Sequence, residues 1–142
     1  RGAIVRKINK LILHCSASEA LSDIDSIRKF HMDPTPRGRG WRDVGYHYVI
    51  NKKGVIEYGR KEDEIGAHCE GHNKNSIGIC VGGDKRFTYA QIKSLRFLVR
   101  ETLLKYKLKI EHVFMHNELD NKGKTCPNPN DLIRALFLTE EI

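Results

Sequence analysis

A chain of 142 residues, 39% hydrophobic and 30% charged, is long enough to bury a core of its own and reads as one domain over residues 1–142, without linker, repeat or low-complexity tract. Its longest apolar runs are a few residues, which excludes a membrane-spanning helix within them. The net charge of +7 suits polyanionic partners such as nucleic acid, an anionic membrane surface or an anionic cell wall, and does not choose among them.

In chain order, residues 1–7 carry no apolar signal core, and the start without Met leaves a removed leader open. Lys10 to Ser16 reads as a buried strand whose end carries His14 into small polar residues. Ser22 with Asp25 forms a capping box for a helix whose Ile24, Ile27, Phe30 and His31 are spaced for one face and which stops before Pro34. Asp33 to Gly40 is a basic loop rich in Pro and Gly. Tyr46–Ile50 and Val55–Tyr58, joined by a short turn containing Gly54, read as a β-hairpin. Lys61 to Asn75 has no sustained period and reads as loop, and Ser76 to Val81 as a further strand closed by Gly82 and Gly83. A second capping box, Thr88 with Gln91, opens a long amphipathic helix to about Lys107. His112 to Met115 is the last strand, and Asp131 to Phe137 a short terminal helix. Strands and helices interleave without strict alternation, so the expected fold class is α/β, a central mixed sheet flanked by helices.

The chemistry concentrates near the C-terminal end. Met115 to Pro127 packs His116, Glu118, Asp120, two lysines and Cys126 into thirteen residues. His14 ends the first strand and His116 the last, and a polar loop returns Cys126 towards both. Two imidazoles and a thiolate are a good three-ligand set for zinc, leaving a fourth position for water, whose pKa falls to roughly 7. The spacing alone leaves two readings open: a metal centre, or two ordinary strand-end histidines and a buried thiol, because no tight CxxC or HExxH pattern is present. Cys15, Cys69, Cys80 and Cys126 show no paired framework, which favours free thiols under reducing conditions. His68 and His72 flank Gly71, which argues against a helix aligning them as a second metal pair.

Four stretches together, His14-Cys15-Ser16-Ala17-Ser18, Trp41 to Ile50, Asn75 to Cys80 and Lys124-Thr125-Cys126-Pro127, resemble the zinc-dependent N-acetylmuramoyl-L-alanine amidases. That family includes the amidase-type phage lysozymes and is similar to the peptidoglycan recognition proteins. The motifs fall in family order over nearly the whole chain. The resemblance implies a mixed sheet flanked by helices with one zinc in a surface cleft. It also implies cleavage of the amide between the lactyl group of N-acetylmuramic acid and L-alanine of the peptidoglycan stem peptide.

Carried over position by position, the resemblance makes His14, His116 and Cys126 the zinc ligands and Tyr46 and Lys124 the active-site tyrosine and lysine. His68 becomes a substrate contact in the cleft, and Glu118, two residues after His116, a buttress for a ligand. Asp120 to Gly123 make this loop longer than the shortest family versions. Trp41, in the basic segment Arg37–Arg42, either lines the cleft or packs inward under a solvated loop. Asn75 either contacts substrate or turns the chain into the strand. The resemblance further implies an endolysin-like enzyme, made in the cytoplasm and acting on the wall after release, with secretion or injection as other routes. The partner expected is peptidoglycan, and the molecule a monomer without membrane attachment. A non-catalytic recognition module is the second reading; such homologues typically lack the Cys ligand that Cys126 supplies here. Nucleic-acid binding is disfavoured because the lysines and arginines are spread along the chain rather than gathered with aromatics.

Overall fold

In the computed structural model, residues 5–119 are described apart from Thr35, Arg37 and Lys85. Lys124, Cys126 and the terminal helix expected at Asp131 to Phe137 lie outside the described residues.

Five strands form one sheet: β1 (Lys10–Cys15), β2 (Tyr48–Ile50), β3 (Ile56–Tyr58), β4 (Ser76–Val81) and β5 (Val113–Met115), in the order β3-β2-β4-β1-β5. All neighbouring pairs are parallel except the β2/β3 hairpin. The expected mixed sheet is therefore present. Strand β1 sits between β4 and β5, and every residue of it from Leu11 to Cys15 is buried, as is all of β4. Strands covered on both faces need apolar residues at nearly every position, and LILHC and SIGICV supply them.

Alternation along β1 divides its side chains between two layers. Leu11 and Leu13 join Ile77, Ile79, Val113 and Met115 against Leu95, Leu98, Val99 and Leu103 of α2 (Tyr89–Tyr106). On the other face Val49 and Cys80 pack with Val44 and with Ile24 and Ile27 of α1 (Ile24–Met32). His14, out of phase with Leu13, belongs to this second face.

The helix ends follow their caps. Asp23, rather than Ser22, caps α1: its carboxylate accepts from the Ser26 N–H at 2.8 Å, and the Ser26 hydroxyl lies 3.4 Å from the Asp23 N–H, completing the reciprocal pair. The box is thus shifted by one residue from the Ser22/Asp25 pair expected. Thr88 and Gln91 form the box of α2 as expected, and Lys107 ends it in the left-handed conformation (φ 56°). The last strand starts one residue late because Ile110–His112 forms a 3-10 turn, in which the Lys109 N–H donates to His112 Nδ1 at 2.9 Å.

Gln91 also ties α2 to the sheet. Fully buried, it donates from Nε2 to the carbonyls of Ile50 (3.1 Å) and Gly82 (2.9 Å). Gln91→Ala leaves both carbonyls without this donor, at a cost of about 2 kcal/mol. The thermal midpoint is expected to fall by roughly 6 °C; a change within one degree would show that neither bond contributes.

The segment between β3 and β4 has no helix or strand, and its shape comes from side-chain bonds to its backbone. The Arg6 guanidinium lies within 3.2 Å of the carbonyl oxygens of Glu62, Asn73, Lys74 and Ser76. Asn73 Oδ1 accepts from the N–H groups of His68 and Cys69, both at 2.9 Å. At the back of the sheet the Glu62 carboxylate accepts from the hydroxyls of Tyr48 and Tyr106 and, at 2.9 Å, from Lys105 Nζ. Among the described residues no helix is long and apolar enough to cross a membrane.

Candidate functional site

Ligand sites in parallel sheets gather beyond the carboxyl ends of the strands, and the titratable side chains converge there. Leu13 of β1 pairs with Met115 of β5, so the next residues, His14 and His116, leave adjacent strand ends on the same face. Their rings lie 4.4 Å apart between centroids. The Glu118 carboxylate accepts the Met115 N–H at 2.7 Å. It thus steadies the backbone that delivers His116, through the main chain.

Around this pair lies a pocket of about 740 Å³. One wall is Cys15 to Ser18, following β1; α1 and the next loop contribute Phe30, His31, Arg39 and Trp41; Tyr46, Ala67 to Gly71, Asn73 and His116 complete it. The wall after β1 is pinned by Ser16, whose hydroxyl accepts the Gly83 N–H at 2.8 Å, while Ala17 takes a left-handed conformation (φ 61°). Tyr46 stands with its ring 5.1 Å from that of His14. Trp41 lines the pocket and packs its ring against His31 at 4.8 Å, with the Arg39 guanidinium 5.1 Å above its face.

His68 sits beside His14, with Nδ1 2.9 Å from His14 Nε2 and Nε2 3.2 Å from Ser76 Oγ. Asn75 is elsewhere: its side chain donates to the Lys7 carbonyl at 2.7 Å, and it is not among the residues lining the pocket. Its neighbour Asn73 does line it, and the sequence offered no signal for choosing between the two. Phe30 is likewise a pocket residue that sequence reasoning did not single out as one, whereas Arg39 belongs to the basic segment Arg37–Arg42 considered for the cleft.

Burial sets the electrostatics. His14 is held well below its ordinary pKa, first by desolvation and then by the nearness of His68 and His116. His68 is depressed in the same way, by burial first and then by His47 and His116. His31 and His47 are pushed down to about 4, again chiefly by burial. These four imidazoles are thus neutral at neutral pH, which is the protonation state of a metal donor. The Cys80 thiol is pushed up by its burial. Among the described residues no group of three His, Cys, Asp or Glu side chains is placed to hold a metal ion, and Cys126 lies outside them.

The family model for N-acetylmuramoyl-L-alanine amidase matches residues 5–129. The endolysin of Escherichia phage T7 is 38% identical over 128 residues, covering 83% of this chain and 79% of that protein. The endolysin of Klebsiella phage KP32 is 34% identical over 133 residues, covering 87% and 82%. Among solved structures, the N-acetylmuramoyl-L-alanine amidase LysC from Clostridium intestinale superposes with a TM-score of 0.77 at 28% identity, covering 92% of this chain and 85% of that one. A fold match and sequence matches of this extent agree with the motifs around His14, Tyr46 and Ser76: the chain belongs to the N-acetylmuramoyl-L-alanine amidase family.

Proposed function

We propose that residues 1–142 form one amidase domain that cleaves peptidoglycan between the lactyl group of N-acetylmuramic acid and L-alanine, as a zinc-dependent endolysin. The observation that carries this reading is the His14–His116 ring pair, 4.4 Å apart, with His116 lining the pocket and His14 buried beside it, in a chain of this family. The donor set fits zinc: two imidazoles, of which His14 is kept neutral by burial, and the thiolate of Cys126 as the third ligand. When bound, zinc supplies a Lewis acid that acidifies water to a pKa of roughly 7 and polarises the amide carbonyl.

The chain's own groups do the remaining work. The pocket holds the muramyl peptide, with Trp41 offering an aromatic face to the sugar or stem peptide, and His68 proposed from the sequence as a further contact; Asn75, expected as another, points to Lys7 instead. The Tyr46 hydroxyl orients the attacking oxygen or the carbonyl. Lys124, carried over from the family resemblance, is assigned the role of stabilising the negative charge that develops on the carbonyl oxygen, a contribution of a few kcal/mol in such sites. Glu118 keeps His116 in place by holding the Met115 N–H. The molecule acts as a monomer on the wall, without nucleic-acid or membrane partners, after synthesis in the cytoplasm and release, or else after secretion or injection.

Peptidoglycan digestion with and without a zinc chelator tests the reading. New L-alanine amino termini, lost on chelation and restored by zinc, are expected. Reducing sugar ends instead would mean a glycosidase. Zinc bound at one equivalent without any cleavage would favour a non-catalytic recognition module.

A further inference from the structure

Four buried imidazoles are linked to each other or to the backbone, and for two of them a backbone donor fixes where the proton sits. The backbone N–H of Gly78 donates to His47 Nδ1 at 3.0 Å, so the His47 proton is on Nε2 and goes to the Glu64 carbonyl at 2.8 Å. The N–H of Gly45 donates to His31 Nδ1 at 3.0 Å in the same way. No backbone donor settles His14 or His68. Instead they form a chain with Ser76: His14 Nε2 to His68 Nδ1, then His68 Nε2 to Ser76 Oγ, at 2.9 and 3.2 Å.

Two proton arrangements satisfy that chain. In one, the Ser76 hydroxyl donates to His68, which donates to His14 Nε2; the proton of neutral His14 is then on Nδ1, and its one lone pair is used within the protein. In the other, His14 Nε2–H donates to His68 Nδ1, and His68 Nε2–H donates to Ser76 Oγ. Only the second leaves His14 a nitrogen lone pair to offer a metal, at Nδ1.

We propose that His68, oriented by Ser76, is a positioning residue: it accepts the Nε2 proton of His14 and so fixes His14 in the tautomer that presents Nδ1 to zinc. This rests on the zinc reading above and assigns His68 a different task from the substrate contact expected for it. The surroundings are built for one ring orientation. A Cβ on Gly78 would lie 2.5 Å from His68 Cγ, and one on Gly66 would lie 2.6 Å from His68 Cδ2. The ring therefore rests on strand β4 where a side chain would otherwise stand. Asn73 holds the His68 N–H from the other side. With 8% exposure and a protein partner at each nitrogen, both polar atoms of the ring are engaged within the protein although the residue lines the pocket. A metal-ligating histidine ordinarily donates its second N–H to such a fixed acceptor, and loss of that acceptor costs about 10- to 100-fold in affinity.

The test is zinc affinity by competition with a chromophoric chelator, together with long-range 1H–15N spectra of the zinc-loaded protein. His68→Phe keeps the ring volume and removes both nitrogens; His68→Gln restores an acceptor. The dissociation constant for zinc is expected to rise by about 10- to 100-fold in His68→Phe and to recover most of that in His68→Gln. In the unaltered protein the His14 proton is expected on Nε2. Unchanged affinity in a folded His68→Phe, or a His14 proton on Nδ1 in the zinc-loaded protein, would overturn the proposal and leave the zinc reading standing. If His68→Phe does not fold, His68→Gln and the His14 tautomer decide. An unaltered, folded protein that binds no zinc would sink both.

Discussion

His14→Ala is expected to lower the release of L-alanine amino termini from peptidoglycan by about a thousandfold and to leave the protein without bound zinc. The magnitude follows from the several kcal/mol of charge stabilisation that a Lewis acid supplies, at about 1.4 kcal/mol per decade of rate. Leu13, the residue before His14, packs into the cluster under α2 and cannot replace it. Removal of His14 also leaves His68 Nδ1 without its partner at 2.9 Å and opens space beside Tyr46 and His116. The variant's thermal melt should accordingly be recorded beside its turnover and zinc content. A folded His14→Ala protein that kept its zinc and turned over normally would remove His14 from the ligand set.

The second large effect concerns the fold beneath the site. Leu13→Ala is expected to destabilise the protein by about 3 kcal/mol, the middle of the range for emptying a packed leucine site. Leu13 is fully buried and pairs with Ile79 on one side and Met115 on the other. Its side chain packs into the cluster that holds α2 to the sheet, and β1 has a hydrogen-bonded strand along each edge, which limits how far it can collapse into the cavity. A loss of this size is a large share of the 5–15 kcal/mol typical of a whole domain and corresponds to a fall of roughly 10 °C in thermal midpoint. Denaturant titration checks it: a midpoint shift worth less than about 1 kcal/mol would mean that the layer between β1 and α2 repacks freely.

Much of the framework was legible because it is written locally. Strand β4 coincides with the expected Ser76 to Val81, since a continuous buried apolar run bounded by Asn75 and the Gly82-Gly83 pair has few other readings. Helix α2 begins at its capping box and ends beside Lys107, as its periodicity and cap residues required. The α1 cap shows the limit of that method. Ser22/Asp25 and Asp23/Ser26 both fit a reciprocal pair on paper, and the choice belongs to whichever side chain meets the N3 N–H, which is Asp23.

What was not legible depends on contacts distant in sequence. Nothing local states that β1 lies between β4 and β5; that order depends on pairings such as Leu13 with Ile79 and Met115. It is this order that brings His14 beside His116, a closeness the sequence could suggest only from the position of both residues at strand ends. His68 sits in a segment without periodicity, so its seat on Gly78 and its two nitrogen partners had no one-dimensional signature. Asn75 and Asn73 were indistinguishable as letters; the first bonds Lys7, the second holds the His68 N–H.

Arg6 carries a practical consequence for handling the molecule. One guanidinium near the beginning of the chain gathers the carbonyls of Glu62, Asn73, Lys74 and Ser76, and the backbone so gathered runs straight into His68, Asn73 and Ser76. Arg6 is therefore part of the scaffolding of the pocket although it does not line the pocket. A protease that trims through Arg6, or a fusion partner that pulls this residue out of its cradle, would be felt first as a slack pocket rather than as an unfolded protein. Affinity tags and immobilising linkers should leave Arg6 and the residues that follow it undisturbed.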